Sequence, residues 1–235
     1  MKTTVLAATL ALGFVSTLPV TRAQPPGSDS GFQVRLGGFF PSGDSELWTD
    51  NEQVFTLEPS DFDDVTLGFT YLLSLNNHLE VGFNADFYEA TARSAYRDDL
   101  SVEHDTQLQT WPLTVDVRIV PGGRYRQHGV RFARQPVWYL GGGAGLVPWE
   151  YEEAGEFIDL SDPAQPIFFD HFRDTGTAFE LHALTGIELP VARRTNLVFE
   201  GRYSWVEDTL GGDFFGLGKI DLGGASGFVG AEFRF

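Results

Sequence analysis

Apolar and polar side chains alternate one by one over most of this 235-residue chain. A period of two marks a strand with unlike faces. Eight segments carry it, at 31–41, 63–75, 78–89, 106–120, 135–149, 174–190, 195–206 and 220–235. In the third, Leu79, Val81, Phe83, Ala85 and Phe87 interleave with Glu80, Gly82, Asn84, Asp86 and Tyr88. The seventh sets Leu197, Phe199, Gly201, Tyr203 and Trp205 against Asn196, Glu200, Arg202 and Ser204. In the last, Val229, Ala231, Phe233 and Phe235 share one face, and Phe228, Gly230, Glu232 and Arg234 the other. The fifth alternates least well, because Gly141, Gly142 and Gly143 interrupt it.

One apolar face and one face bearing acids and bases suit a strand with lipid on one side and a polar lumen on the other. The connections alternate too. They are long at 42–62, 90–105, 150–173 and 207–219, and tight at Asn76-Asn77 and around Ala192-Arg193. The Arg-bearing stretch 121–134 is the exception. The pattern predicts an all-β fold over 31–235: a monomeric, eight-stranded antiparallel up-and-down transmembrane β-barrel. Trp111, Trp149, Tyr203, Trp205, Phe233 and Phe235 are expected as aromatic anchors at the membrane interfaces. Gly141 to Gly145 would either curve their strand and let it pack closely or line a lateral opening in the wall.

The first residues read differently. Lys2, an apolar run from Val5 to Val15 and the closing Thr21-Arg22-Ala23 predict a secretory signal peptide over 1–23, followed by a short tail at 24–30. Gly13, Ser16 and Pro19 make the run too short for a membrane-spanning helix, and no longer apolar run follows. The chain has no cysteine, which excludes a disulfide framework.

Charge changes the picture at the long connections. The net charge is -17. Between 42 and 64 stand Asp44, Glu46, Asp50, Glu52, Glu58, Asp61, Asp63 and Asp64 with no base. The 150–173 stretch is also acidic, whereas Arg124, Arg126, Arg131, Arg134, Arg193 and Arg194 lie on the short-turn side. Such a surface argues against nucleic acid as a partner. Its carboxylates lack the fixed ligand spacing of a calcium loop, so no metal or cofactor is expected. Leu47, Trp48, Val54, Phe55 and Leu57, with Phe157, Ile158, Ile167, Phe168, Phe169 and Phe172, sit among these acids. They predict either loops packed over the barrel mouth or an exposed contact patch.

The polar parity points into a lumen wide enough only for side chains or one small ligand. It offers Arg35, Glu80, Asp116, Arg118, Glu180, His182, Glu200, Arg202, Glu232 and Arg234 as a candidate network, with Asp86 and Glu188 on the same parity. Buried charges must pair, so a structural plug is expected, with a proton or ion path as the alternative. The turn near Ala192 is expected to set Arg202 opposite His182.

The alternating segments, the long connections on one side and the terminal Phe235 resemble the small outer-membrane barrels of Gram-negative bacteria, the OmpA/OmpX-type superfamily. Asp221-Leu222-Gly223-Gly224 followed by Gly227-Phe228-Val229-Gly230 adds to that likeness. The resemblance implies an outer-membrane location, contact with outer-membrane lipid and lipopolysaccharide, and recognition of the last strand, through Phe233 and Phe235, by the barrel-assembly machinery. No peptidoglycan-binding domain is expected after the barrel.

Lipid A deacylases of similar size use a His-x-Ser pair, but here His182-Ala183-Leu184 lacks the hydroxyl. His171 lies near Ser161 and Asp170, while His78, His104 and His128 stand singly in turns or loops. No catalytic residue is expected. The reading is a non-enzymatic outer-membrane protein whose structural and surface-interaction role lies in acidic extracellular loops. The alternatives are a narrow channel or lateral transporter for small or apolar solutes, and a lipid A-modifying enzyme.

Overall fold

The computed structural model describes residues 30–124, 135–159 and 162–235. The signal peptide at 1–23, and Arg126, Arg131 and Arg134 of the Arg-bearing turn, fall outside the described residues. The strands are β1 (Ser30–Pro41), β2 (Asp64–Ser74), β3 (Leu79–Ala95), β4 (Glu103–Thr110) and β5 (Leu113–Ile119). They continue with β6 (Val137–Ile158), β7 (Ile167–Pro190), β8 (Thr195–Thr209), β9 (Lys219–Asp221) and β10 (Gly224–Arg234). All pair antiparallel, and β1 closes the ring on β10.

These segments make eight staves. β4 and β5 are one stave broken at Trp111-Pro112, since proline lacks the N–H that a ladder needs. The break is re-stitched, with Asp86 N–H donating to the Pro112 carbonyl at 2.9 Å and Trp111 N–H to that of Pro148 at 2.9 Å. β9 and β10 share the last stave. Both ends of the ring sit together, where Phe235 N–H donates to the Ser30 carbonyl at 3.0 Å.

A belt of exposed apolar side chains surrounds the ring, including Leu36, Phe83, Val115, Leu181, Phe199 and Val229. Such a belt is the surface a barrel turns toward hydrocarbon. β3, β6, β7 and β8 run past it. The predicted connections 90–105 and 150–173 are therefore mostly strand, with β3 running to Ala95, β4 starting at Glu103, β6 running to Ile158 and β7 starting at Ile167. Above the belt the alternation persists but its phase inverts. On β6, Val147, Trp149 and Tyr151 are buried inside, while Glu150 and Glu152 face outward. Trp149 is thus a core residue, 2 % exposed, and no interfacial anchor. Tyr203, Trp205, Phe233 and Phe235 stand on the outside.

Gly141, Gly143 and Gly145 point inward and explain the poor alternation of β6. A Cβ at each would strike the carbonyl oxygen of Val117, Val115 or Leu113 on β5. β6 is paired on both sides through this stretch, so the glycines allow close, curved packing and leave no gap in the wall.

The connection after β1 folds over the mouth. Helix α1 (Glu46–Val54) begins at extended Ser45 with acidic Glu46 in its first turn, where the helix dipole favours a negative charge. Its inner face presents Leu47, Trp48 and Asn51. A short 3-10 turn at Pro59–Phe62 then buries Phe62. Leu47, Trp48, Leu57 and Phe62 join Tyr88, Leu108, Val147, Trp149, Val206 and Ile220 in one apolar core inside the upper barrel. Loop packing over the mouth is what the structure shows for this connection, although Val54 stays 38 % exposed.

Candidate functional site

The lumen is closed at two levels. Its floor is a charged network. Nearest the chain ends, Arg124 grips Glu188 with two bonds, at 2.5 and 2.7 Å, and also bonds Glu80. Arg234 donates to Glu80 at 2.6 Å and to Glu232 at 2.5 Å. Gln33 links this tier to the next: its amide donates to Glu232 at 2.6 Å and its oxygen accepts from Arg118 at 3.2 Å.

In the tier above, Glu200 gathers Arg35, Arg118 and Arg202, and accepts from the Tyr139 hydroxyl at 2.8 Å. Asp86 receives Arg35 at 2.8 Å and Arg202 at 2.6 Å. Asp116 receives Arg118 at 2.9 Å and Asn84 at 2.8 Å. Arg35 lies 4.7 Å from the Phe228 ring centroid, and Arg118 lies 5.0 Å from that of Tyr139. Rings over guanidinium faces add attraction where water is excluded. Each carboxylate holds more than one donor, which is the condition for tolerating a buried charge.

The ten residues expected in the lumen differ little in burial. Arg35, Glu80, Asp116, Arg118 and Glu232 have no exposed surface, Glu180, His182, Glu200 and Arg202 are buried, and the Arg234 side chain is 12 % exposed. One detail is corrected. Register sets Arg202 opposite Leu184 and His182 opposite Ser204, because the turn after Pro190 pairs Val191 and Ala192 with Thr195. His182 instead meets Glu180 at 2.9 Å on its own strand, and its Nε2 has no partner among the described residues.

Arg124 was not legible as a member of the network. It follows β5 by several residues, and Gly123, at φ +67, folds the turn back so that its side chain enters the floor. Pro121-Gly122-Gly123 is the local signal for that reversal.

Between the floor and the apolar core lies a cavity of ≈ 40 Å³ bordered by Asp86, Glu180, Arg202 and Ser204, with room for a few waters.

The lid is held from two walls. Trp48 Nε1 donates to the Asp221 carbonyl at 3.0 Å. The Asp221 carboxylate accepts from Ser42 and from the backbone N–H of Asp44 and Gly223. On the far side Asn51 donates to the Tyr151 hydroxyl at 3.1 Å, which donates to Glu153 at 2.6 Å. Burial pushes the Glu153 carboxyl above the usual glutamate range, against the smaller opposing effect of these hydrogen bonds.

Among the described residues the other histidines form no nucleophilic or metal constellation. His104 is on β4 rather than in a loop, buried, with Nε2 2.9 Å from Ser94 Oγ, and burial lowers its basicity. His171 stands on the outside of β7, 3.5 Å from Glu152, and Ser161 and His128 fall outside the described residues. His78 binds the Val120 carbonyl at 2.8 Å. Among the described residues no group of three or more acidic or imidazole side chains is placed to hold a metal ion.

No protein-family model matches this chain, and no curated protein matches it in sequence. Solved structures do match its fold. OprG, an outer-membrane protein from Pseudomonas aeruginosa, shares 13 % identity at a TM-score of 0.55, over 89 % of this chain and 96 % of OprG. Neisserial surface protein A matches 88 % of this chain and 95 % of its own at 12 % identity and a TM-score of 0.46. A major outer-membrane protein from Thermus thermophilus matches 88 % of this chain and 99 % of its own at 13 % identity and a TM-score of 0.46. The chain has the fold of the small eight-stranded outer-membrane β-barrels.

Proposed function

We propose that this protein is a non-enzymatic scaffold of the bacterial outer membrane that works through its outer surface. The observation that carries this reading is the double closure of the lumen. A guanidinium–carboxylate floor and a helix-capped apolar core occupy the space a solute would need. Surface chemistry remains available at the far end. There, Phe169 is 77 % and Phe215 87 % exposed, among acids that include Glu150, Glu152, Asp170 and Asp213. Exposed aromatics on a charged background form contact surfaces. The ring of ten lumen residues acts as the internal brace that keeps these surfaces rigid. Lipid and lipopolysaccharide contact the belt, and Phe233 on the lipid side of β10, with Phe235 just beyond its end, serves assembly.

Cells expressing the barrel with Ile167, Phe169 and Phe215 all changed to Ser test this reading. Loss of surface adhesion or envelope integrity, with folded barrel levels unchanged, is the expected result. Adhesion and integrity equal to wild type would overturn it. A lipid-modifying activity abolished by a His182 substitution would favour the enzyme reading instead.

A further inference from the structure

Glu153 occupies an unusual place for a carboxylate. It is 5 % exposed in the upper core, above the lipid-facing belt, and makes no ion pair among the described residues. The Tyr151 hydroxyl donates to it at 2.6 Å, that hydroxyl takes its own donor from Asn51 on the lid helix, and the Asn51 side chain also hydrogen-bonds Glu153. Thr106 stands directly across on β4, wholly buried, with its hydroxyl unpartnered among the described residues. His104, two residues before it, leaves Nδ1 unpartnered as well. The side of the mouth that grips α1 is therefore a short relay ending on a lone acid.

We propose that α1 is a pH-sensitive lid, and that ionisation of Glu153 releases its inner face from the barrel mouth.

Burial favours the neutral form of Glu153, against the smaller opposing effect of its hydrogen bonds. The titratable groups on the neighbouring elements are Tyr151 on β6, Tyr96 just beyond β3, His104 on β4 and Asp174 on β7, whose carboxylate takes the Gly211 and Thr175 N–H groups. No cation is among them. Arg173 lies on the outer face, bound to Glu150 at 2.6 Å and Glu152 at 3.2 Å, and Arg97 donates to the Glu52 carbonyl. With the lid closed, a charge on Glu153 is buried without a counter-ion among the described residues. With the lid open it is hydrated and ionises in the ordinary range.

The sign follows. The closed-state acid is the weaker one, so closure is fully favoured below the ordinary glutamate range near 4.3. It is lost as pH rises through the elevated value. Within that window the closed-to-open ratio falls about tenfold per pH unit.

Cysteine is absent from the chain, so single introduced thiols report the lid without background. Leu47→Cys places a thiol under the lid, and Thr49→Cys places one on its exposed face as the reference for thiolate chemistry. Maleimide labelling of the folded barrel in detergent micelles is read as the ratio of the two rates from pH 5 to pH 9. The ratio is expected to rise at least tenfold with pH, and to stay flat when Glu153→Gln, which keeps a hydrogen-bond acceptor and removes the titration, is added. A flat ratio without that change, or an equal rise with it, overturns the proposal. Tyr151→Phe cuts the relay, and should raise the ratio severalfold already at pH 5. An unchanged ratio in that variant also overturns it.

Discussion

Arg234 on β10 donates through Nη1 to Glu80 on β3 at 2.6 Å, reaching past the two strands that separate them in the wall. The penultimate residue of the chain thus ties the closing strand to a strand laid down some 150 residues earlier. Removing one partner of a buried pair costs about 3–5 kcal/mol, because the other charge is left uncompensated. Arg234→Ala should lower the urea midpoint of the refolded barrel accordingly. A double-mutant cycle with Glu80→Gln should return a coupling of about 1–3 kcal/mol. Additive effects would show that Arg124 alone satisfies Glu80.

Phe235 follows β10 and lies on the outside, 61 % exposed. Deleting it should reduce the amount of folded barrel reaching the membrane in cells while leaving the midpoint of refolded protein within about 0.5 kcal/mol. Equal folded levels in cells would refute its role in assembly.

The paired floor also sets an expectation for ion flow. Planar-bilayer recordings of the wild-type barrel should show little or no conductance, since any path must part Glu200 from its three guanidiniums. Arg118→Ala should raise conductance by opening space beside Gln33 and Asp116. A large, steady conductance in the wild type would overturn the plug.

His104 gives the acid-side counterpart of the Glu153 lid. Burial lowers its pKa, more than the neighbouring Asp105 charge raises it, so the folded upper barrel holds the neutral ring. That contribution is complete above the ordinary imidazole value near 6.5, and is lost as pH falls through the depressed one. Denaturant midpoints measured from pH 7 downward should therefore fall less steeply in His104→Gln than in wild type. Parallel curves would show that His104 does not ionise on unfolding.

How much of this the sequence discloses depends on the height along the barrel. In the lipid-facing zone, Arg35, Glu80 and Glu200 can be placed inside from parity alone, because lipid and lumen demand opposite chemistry. Above that zone water replaces lipid and the interior turns apolar, so the same alternation changes sign. Trp149 and the strand ends at Ala95 and Ile158 are obscured for that reason. Arg202 pairs with Leu184 rather than His182 because the closing turn decides register, and turn residues such as Ala192 and Arg193 specify it weakly. The lid helix hides for a third reason: Glu46 to Val54 is short and acidic, and only Leu47, Trp48 and Asn51 mark its buried face.

The core beneath α1 has a thermal consequence. Packing around Trp48 and Trp149 excludes water, as in a soluble protein, whereas the belt below rests against hydrocarbon and gains nothing from expelling water. The two halves should therefore answer temperature differently. Opening the mouth should carry a positive heat-capacity change, making the cap of the barrel weaken on cooling as well as on heating. The membrane half, braced by its ion pairs, should hold its shape across the same range.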